Sequence, residues 1–226
     1  RSASAVRQGF LMSKKIDLND VRRNYESKTV HRSDLAMDPI EQFGIWLQQV
    51  RDLDILDATA MVLATCASDG QPSSRVVLLK QFDDDGFCWY SDSRSQKGQE
   101  LAANPKAALL FHWRDLSRQV RIQGHVEQLP AAEAEAYFNS RPEGSRFSAA
   151  ASCQSAELHS RAQLETEVER LQEQYSDGRV PRPPAWVGYR LRPQSFEFWQ
   201  GSDNRLHDRI VYSPAGEGWT MKRISP

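Results

Sequence analysis

Thr59-Ala60-Met61-Val62-Leu63-Ala64-Thr65-Cys66-Ala67 runs into the turn Ser68-Asp69-Gly70-Gln71, and Arg75 to Phe82 then leads through Asp85-Gly86 into Phe87 to Ser91. Apolar, β-forming residues twice give way to Asp-Gly, where Gly supplies the positive φ of a tight turn. The pattern predicts antiparallel hairpins rather than strands separated by crossover helices. Lys106 to Trp113 and Arg118 to Gln128 form a further pair. In the latter, Val120, Ile122 and Val126 face inward while Gln119, Arg121, Gln123 and His125 face out. Three last strands are expected at about Val187–Leu191, Leu206–Tyr212 and Trp219–Arg223.

Helices are fewer. Asp38-Pro39 supplies an N-cap and a first-turn proline, and Ile40, Phe43, Trp46, Leu47 and Val50 recur at helical spacing. Ser95 to Ala103 reads as a short helix stopped by Asn104-Pro105. Pro130 opens one that runs to about Arg141, where Pro142 ends it. A longer one spans roughly Ser160 to Tyr175, with Leu164, Val168, Leu171 and Tyr175 on one stripe. Hairpins with helices inserted late predict an α+β fold, a mostly antiparallel β-barrel of six or more strands with peripheral helices. There is no βαβ alternation and no G-x-G-x-x-G, which argues against a Rossmann dinucleotide site.

The 226 residues suit one well-buried domain or at most two small ones. Residues 1–38 carry few large apolar side chains and read as an arm, partly disordered, ahead of a domain over 39–226. Arg1 to Lys15 is basic and acid-free, a composition shared with transit peptides, although a disordered tail is the expectation and Met12 a candidate internal start. A formal net charge of -1 argues against nucleic acid or an acidic membrane surface as partner. Cys66, Cys88 and Cys153, with no C-x-x-C pair, form neither a disulfide framework nor a zinc site. They read as reduced thiols of a cytoplasmic protein, and no metal is expected. No apolar run approaches the ~20 residues of a membrane helix.

Glu197-Phe198-Trp199-Gln200-Gly201 and Asn204-Arg205-Leu206-His207-Asp208-Arg209 carry the chemistry. If residues 205–209 run extended, Arg205, His207 and Arg209 share a face and make a receptor for an anionic, planar ligand. A solvated edge strand is the plainer alternative, but the adjoining aromatic wall favours the receptor. Arg75-Val76-Val77-Leu78-Leu79-Lys80 has a cation at each end. Five apart, the two lie on opposite faces of a strand and would serve different ligands. Tyr90-Ser91 ends the next strand, and Ser95-Gln96-Lys97-Gly98 opens a helix, a suitable phosphate cradle. Tyr137 and Arg141, at i and i+4, share a helix face, with the Ser145 hydroxyl just beyond.

From Val21 to Pro226 the chain resembles the pyridoxine (pyridoxamine) 5'-phosphate oxidase family, most densely at Glu197 to Arg209 and at Tyr137-Phe138-Asn139-Ser140-Arg141-Pro142-Glu143-Gly144-Ser145. The resemblance implies an FMN-binding split β-barrel, homodimeric, with the flavins at the subunit interface. It implies oxidation of pyridoxine 5'-phosphate or pyridoxamine 5'-phosphate to pyridoxal 5'-phosphate, with O2 as acceptor giving hydrogen peroxide. By position it implies FMN contacts at Arg75, Val76, Val77, Leu78, Leu79, Lys80, Tyr90, Ser91, Gln96, Lys97, Gln119, Gln154, Ser155, Trp199 and Arg209. Substrate contacts fall at Lys80, Tyr137, Arg141, Ser145, Arg205 and His207, the last two over the reacting ring. Arg22 and Tyr25, in Arg22-Arg23-Asn24-Tyr25, match a segment that folds over the site as a lid.

The chain departs from the family at Gln96, where the usual pattern is S-R-K-G. The loss of that arginine predicts FMN binding weaker by on the order of 1.5–3 kcal/mol, with Arg94 a candidate partial replacement. Ser145-Arg146-Phe147-Ser148 replaces the usual S-Q-I-G and alters the loop there, and Ala156 stands for a serine. Two other readings stay open. One is a split-barrel flavin reductase acting on nicotinamide cofactors, which Y-F-x-S-R-P and R-L-H-D-R disfavour. The other is a non-catalytic binder of FMN or pyridoxal phosphate.

Overall fold

The computed structural model describes residues 29–226, so the expectations for Arg22 and Tyr25 lie outside it. Among the described residues, nine strands and five α-helices form an antiparallel split barrel with peripheral helices. Helix α1 (Pro39–Asp52) begins as its sequence predicts, with Asp38 accepting from the backbone N–H groups of Ile40 and Glu41. Its apolar stripe enters the barrel. Phe43 meets the rings of Phe82, Phe87 and Phe111 at 5.1, 4.9 and 4.8 Å.

Strands β1 (Ala60–Cys66) and β2 (Pro72–Leu78) form the first hairpin, and β3 (Gln81–Asp83) and β4 (Gly86–Asp92) the second. The expected single strand from Arg75 to Phe82 is therefore two. Leu79 N–H still donates to Thr59 O of the β1 side (2.9 Å), whereas Lys80 N–H donates to Cys88 O of β4 (2.9 Å). The chain changes partner within one residue. The sheet order β2-β1-β5-β6-β7-β4-β3 is thereby closed, because its first and last strands are continuous.

Helix α2 (Gln96–Ala103) follows β4, and β5 (Lys106–Trp113) and β6 (Arg118–Gln128) have the expected bounds. Val120, Ile122 and Val126 are buried in the core, as their alternation requires. Helices α3 (Ala131–Ser140), α4 (Glu143–Ala151) and α5 (Arg161–Gln174) form an outer layer around a second core of Phe138, Phe147, Leu171, Val180 and Trp186. Helix α4 corrects the expected loop at residues 145–148. Pro142 precedes its first turn, as Pro130 precedes that of α3.

Strand β7 (Trp186–Gln200) is far longer than the expected Val187–Leu191. Its first half pairs with β4 and its second half with β8 (Asp208–Ala215), while β6 runs along its other edge. Strand β9 (Gly218–Arg223) completes the sheet beside β8. The bend that lets β7 serve two neighbours is a register shift at Gln123/Gly124, opposite Pro193.

Ahead of α1, Val30 is held at both ends of its peptide unit: its N–H donates to Asp208 (2.8 Å) and its carbonyl accepts from Arg223 (2.9 Å). Asp208 and Arg223 pair with each other. Among the described residues no helix is long and apolar enough to cross a membrane.

A Cβ at Gly124 would lie 2.0 Å from Arg192 O and 2.8 Å from its carbonyl carbon, both backbone atoms. Gly124→Ala is expected to destabilise the fold by about 2–3 kcal/mol, read as a lower urea midpoint at unchanged m-value. An unmoved midpoint would mean the bend does not depend on this close approach.

Candidate active site

A cavity of about 780 Å³ opens where β2, β4, the start of α2, α3, α4 and the first residue of β7 converge. The partner change at Leu79–Lys80 sets its composition. Arg75 and Lys80 both line it, together with Val76, Val77 and Leu78. The two cations thus share one cavity rather than opposite faces of a strand, since β2 ends before Lys80 and strand alternation no longer relates them. Leu79 turns into the core and is 4% exposed.

Ser95 caps α2 by accepting from Gly98 N–H. This first turn aims Lys97 inward, where it is 7% exposed. Its ammonium donates to Gln154 Oε1 (2.7 Å), Ser91 Oγ (3.2 Å) and Ser95 Oγ (3.3 Å), and Ser91 Oγ donates to Gln154 Oε1 (2.9 Å). Every acceptor is neutral. Burial, and then the neighbouring Arg75 charge, pull the Lys97 ammonium below its usual range. Across the cavity, Arg141 caps the end of α3 and stacks its guanidinium 5.0 Å from the centre of the Trp186 ring. Its Nη1 is buried without a hydrogen-bond partner. Burial lowers its pKa too. Tyr90 stacks on Tyr137 at 4.0 Å and on Trp186 at 5.2 Å, so three aromatic rings form one wall. Burial pushes the Tyr90 hydroxyl up to about 12, which keeps it protonated.

The other charges at this end are compensated. Arg94 pairs with Asp92 (2.6 Å) and donates to Ser152 O (3.0 Å), and it faces a neighbouring small cavity with Gln96 and Ser155. Arg75 is tied to Glu100 (3.4 Å) as well as to Thr65, Ser73 and Leu63 O. Glu100, itself buried, accepts from Thr65, Ser73, Arg75 and Gln96. Burial alone would raise its pKa. The bonds from Ser73, Thr65 and Gln96, then the Arg75 charge, outweigh it and hold the carboxyl at about 2.

The remaining expected residues lie elsewhere. Gln119, Trp199 and Arg209 stand in register across β6, β7 and β8, on the outer face opposite buried Val120, Phe198 and Ile210. Arg209 pairs with Glu197 (2.8 Å). Residues 205–209 do not run extended as supposed. Asn204 and Arg205 have φ of 53° and 60° in a short 3-10 turn, and the strand begins only at Asp208. Arg205, His207 and Arg209 therefore do not form one alternating face. Instead His207 folds back on Trp199, ring centres 4.6 Å apart, and its Nδ1 accepts from Ser202 N–H (3.1 Å). Burial, and then Arg205, lower the His207 pKa, so the ring is neutral at neutral pH.

Trp186, Asp92, Gly144, Ser148, Ala149 and Ser152 line the cavity without having been singled out from sequence. For α4, the Pro142-Glu143 start was an available signal. Trp186 carries none, because its role depends on Tyr137 and Arg141, more than forty residues away.

Residues 47–175 match the family described as pyridoxamine 5'-phosphate oxidase, and residues 186–226 match the pyridoxine 5'-phosphate oxidase C-terminal dimerisation region. The chain belongs to the pyridoxamine 5'-phosphate oxidase family. A pyridoxine/pyridoxamine 5'-phosphate oxidase of Thermosynechococcus vestitus is 51% identical over 207 residues, covering 92% of this chain and 98% of that protein. One from Cyanothece sp. is 46% identical over 211 residues, covering 93% and 99%. Among solved structures, PhzG from Burkholderia lata, in complex with tetrahydrophenazine-1-carboxylic acid, superposes with a TM-score of 0.84. It is 32% identical, over 90% of this chain and all (100%) of that one. An oxidase-related, FMN binding protein from Nostoc punctiforme, 17% identical over 81% of this chain and 95% of that one with a TM-score of 0.64, shares the fold alone.

In this oxidase-family chain the depressed Glu100 pKa has a sign. The folded value of about 2 lies below the ordinary 4.5, so the carboxylate stabilises the fold fully above pH 4.5, and that contribution is lost as pH falls toward 2. The stability advantage of the parent over Glu100→Gln is expected to shrink across that window in acid titrations followed by circular dichroism. A constant difference would contradict the assignment.

Proposed function

We propose that this chain is an FMN-dependent oxidase that converts pyridoxine 5'-phosphate or pyridoxamine 5'-phosphate to pyridoxal 5'-phosphate. The observation that carries the reading is a pair of cations, buried Lys97 and half-buried Arg141 with its Nη1 buried and unbonded, that share one cavity without an ion pair to any carboxylate among the described residues. Uncompensated buried charge is costly unless a ligand supplies the counter-charge. Two phosphomonoesters, one on the cofactor and one on the substrate, match two such positions. Family membership and the oxidase names of relatives about half identical support the same chemistry.

The residues present suit the cofactor. Lys97, with Ser91 and Gln154 at hydrogen-bond distance, would hold its phosphate at the start of α2, and the backbone of Val76 to Leu78 borders the same space. When bound, FMN would supply the two-electron acceptor for oxidation at C4' of the substrate, with O2 as the final oxidant giving hydrogen peroxide. With pyridoxine 5'-phosphate the substrate hydroxyl also loses its proton, leaving the aldehyde. With pyridoxamine 5'-phosphate, water is added and ammonia leaves.

The chain's own part is positioning. Arg141, Tyr137, Ser145 and Lys80 anchor the substrate phosphate, and the Tyr90–Tyr137–Trp186 wall restricts the ring beside it. The row Gln119–Trp199–Arg209 and the turn bearing Arg205 and His207 stand apart from this cavity within one chain. In a homodimer, the association suggested by the description of the region matching 186–226, they complete the partner's site. With Nδ1 accepting from Ser202, neutral His207 carries its proton on Nε2 and acts as a donor that orients the substrate ring.

Anaerobic titration of the FMN-loaded protein with pyridoxine 5'-phosphate tests the reaction. The flavin absorbance should bleach and return on admitting air, with pyridoxal phosphate formed; a flavin that stays oxidised would point to a binder or a reductase. Arg205→Ala should raise KM and lower kcat by about tenfold or more while flavin stays bound. Loss of FMN from that variant would overturn the placement of Arg205 over the substrate.

A further inference from the structure

The connector Pro181-Arg182-Pro183-Pro184 leads into β7 at Trp186, and only Arg182 of these four carries a polar side chain. That side chain is 13% exposed. Its Nη1 donates to Trp186 O (2.6 Å) and Pro183 O (3.3 Å), and its Nε donates to Glu135 of α3 (2.9 Å). Along this edge of β7 the pairing with the β6 side ends where Leu129 N–H donates to Gly188 O (2.9 Å). The next carbonyl on the same edge is that of Trp186, two residues back. The Arg182 guanidinium satisfies it where no strand is left to do so. Trp186 is in turn the surface on which Arg141 rests. The Arg141 guanidinium lies 5.0 Å from the centre of the Trp186 ring and 5.9 Å from that of Phe138, and its Nη1 has no hydrogen-bond partner. Among the described residues, ring faces rather than hydrogen bonds set its direction.

We propose that Arg182 is a positioning residue for phosphate recognition: by tying the Trp186 carbonyl to Glu135 it fixes the ring face that aims Arg141 into the cavity. This rests on the reading of Arg141 as an anchor of the substrate phosphate. Glu135 lies on α3, and Arg141 caps the end of that helix. One guanidinium therefore joins the ring and the helix that carries the anchoring arginine, and holds both in a single frame. Arg182 does not itself line the cavity. Its removal takes no contact from the ligand and acts only through Trp186 and Arg141.

The test compares the parent with Arg182→Ala as full, FMN-loaded chains, so that the cofactor's own phosphate position is filled. Two readouts are taken: steady-state kinetics with pyridoxine 5'-phosphate, and calorimetric titration with inorganic phosphate. KM and the phosphate Kd are both expected to rise about five- to tenfold, with kcat within about twofold of the parent. A KM and Kd that stay put, or a loss confined to kcat or to thermal stability, would overturn the proposal. Glu135→Ala keeps the inference testable if Arg182→Ala fails to fold, because it removes a half-exposed side chain and cuts only the tie to α3. There KM and Kd should rise together by about two- to threefold, and no rise in either would sink the tie. A parent that binds inorganic phosphate in an Arg182-dependent way, yet does not oxidise pyridoxine 5'-phosphate, would fail the oxidase reading and leave the positioning role standing.

Discussion

The structure depends on the change of partner at Leu79–Lys80. One backbone N–H bonds the β1 side of the sheet and the next bonds β4, so a sheet that would otherwise have two free edges closes on itself. The closure also decides what the cavity is made of. Were the strand to continue, alternation would send Lys80 away from Arg75, and the cations of β2 and of the crossover would not share a space with Ser91 and Lys97. Barrel closure and the gathering of these cations are here one event.

Around that space the protein distributes charge unevenly. Asp92 holds Arg94, and Glu100 holds Arg75, each pair with hydrogen bonds enough to offset burial. Lys97 and Arg141 receive no such partner among the described residues, and both have depressed pKa values as a result of burial. Buried charge without a counter-charge is costly, and an anion seated at these positions would offset that cost.

Much of this was legible in the chain itself. The Asp69-Gly70 and Asp85-Gly86 hairpins, the Asp38-Pro39 helix start and the alternation of Arg118 to Gln128 are local signals, and local geometry obeyed them. The break after Leu78 was not visible, because it arises from pairing with strands on opposite sides of the barrel. The extended reading of Arg205 to Arg209 failed for a related reason: two consecutive residues with positive φ fold the turn so that His207 meets Trp199, a contact set by β7 rather than by alternation. The pairing of Arg94 with Asp92 was likewise not visible, because it depends on how β4 runs into α2.

Val30 offers a different kind of lesson. Its peptide is bracketed by Asp208 and Arg223, and the Tyr212 hydroxyl reaches back to Ala36 O, contacts that span well over a hundred residues. In a nascent chain the partners of Val30 and of the Ala36 carbonyl therefore become available only once β8 and β9 have been made. Folding of this barrel therefore cannot be finished in the order of synthesis, because Val30 docks only after β8 and β9 are in place.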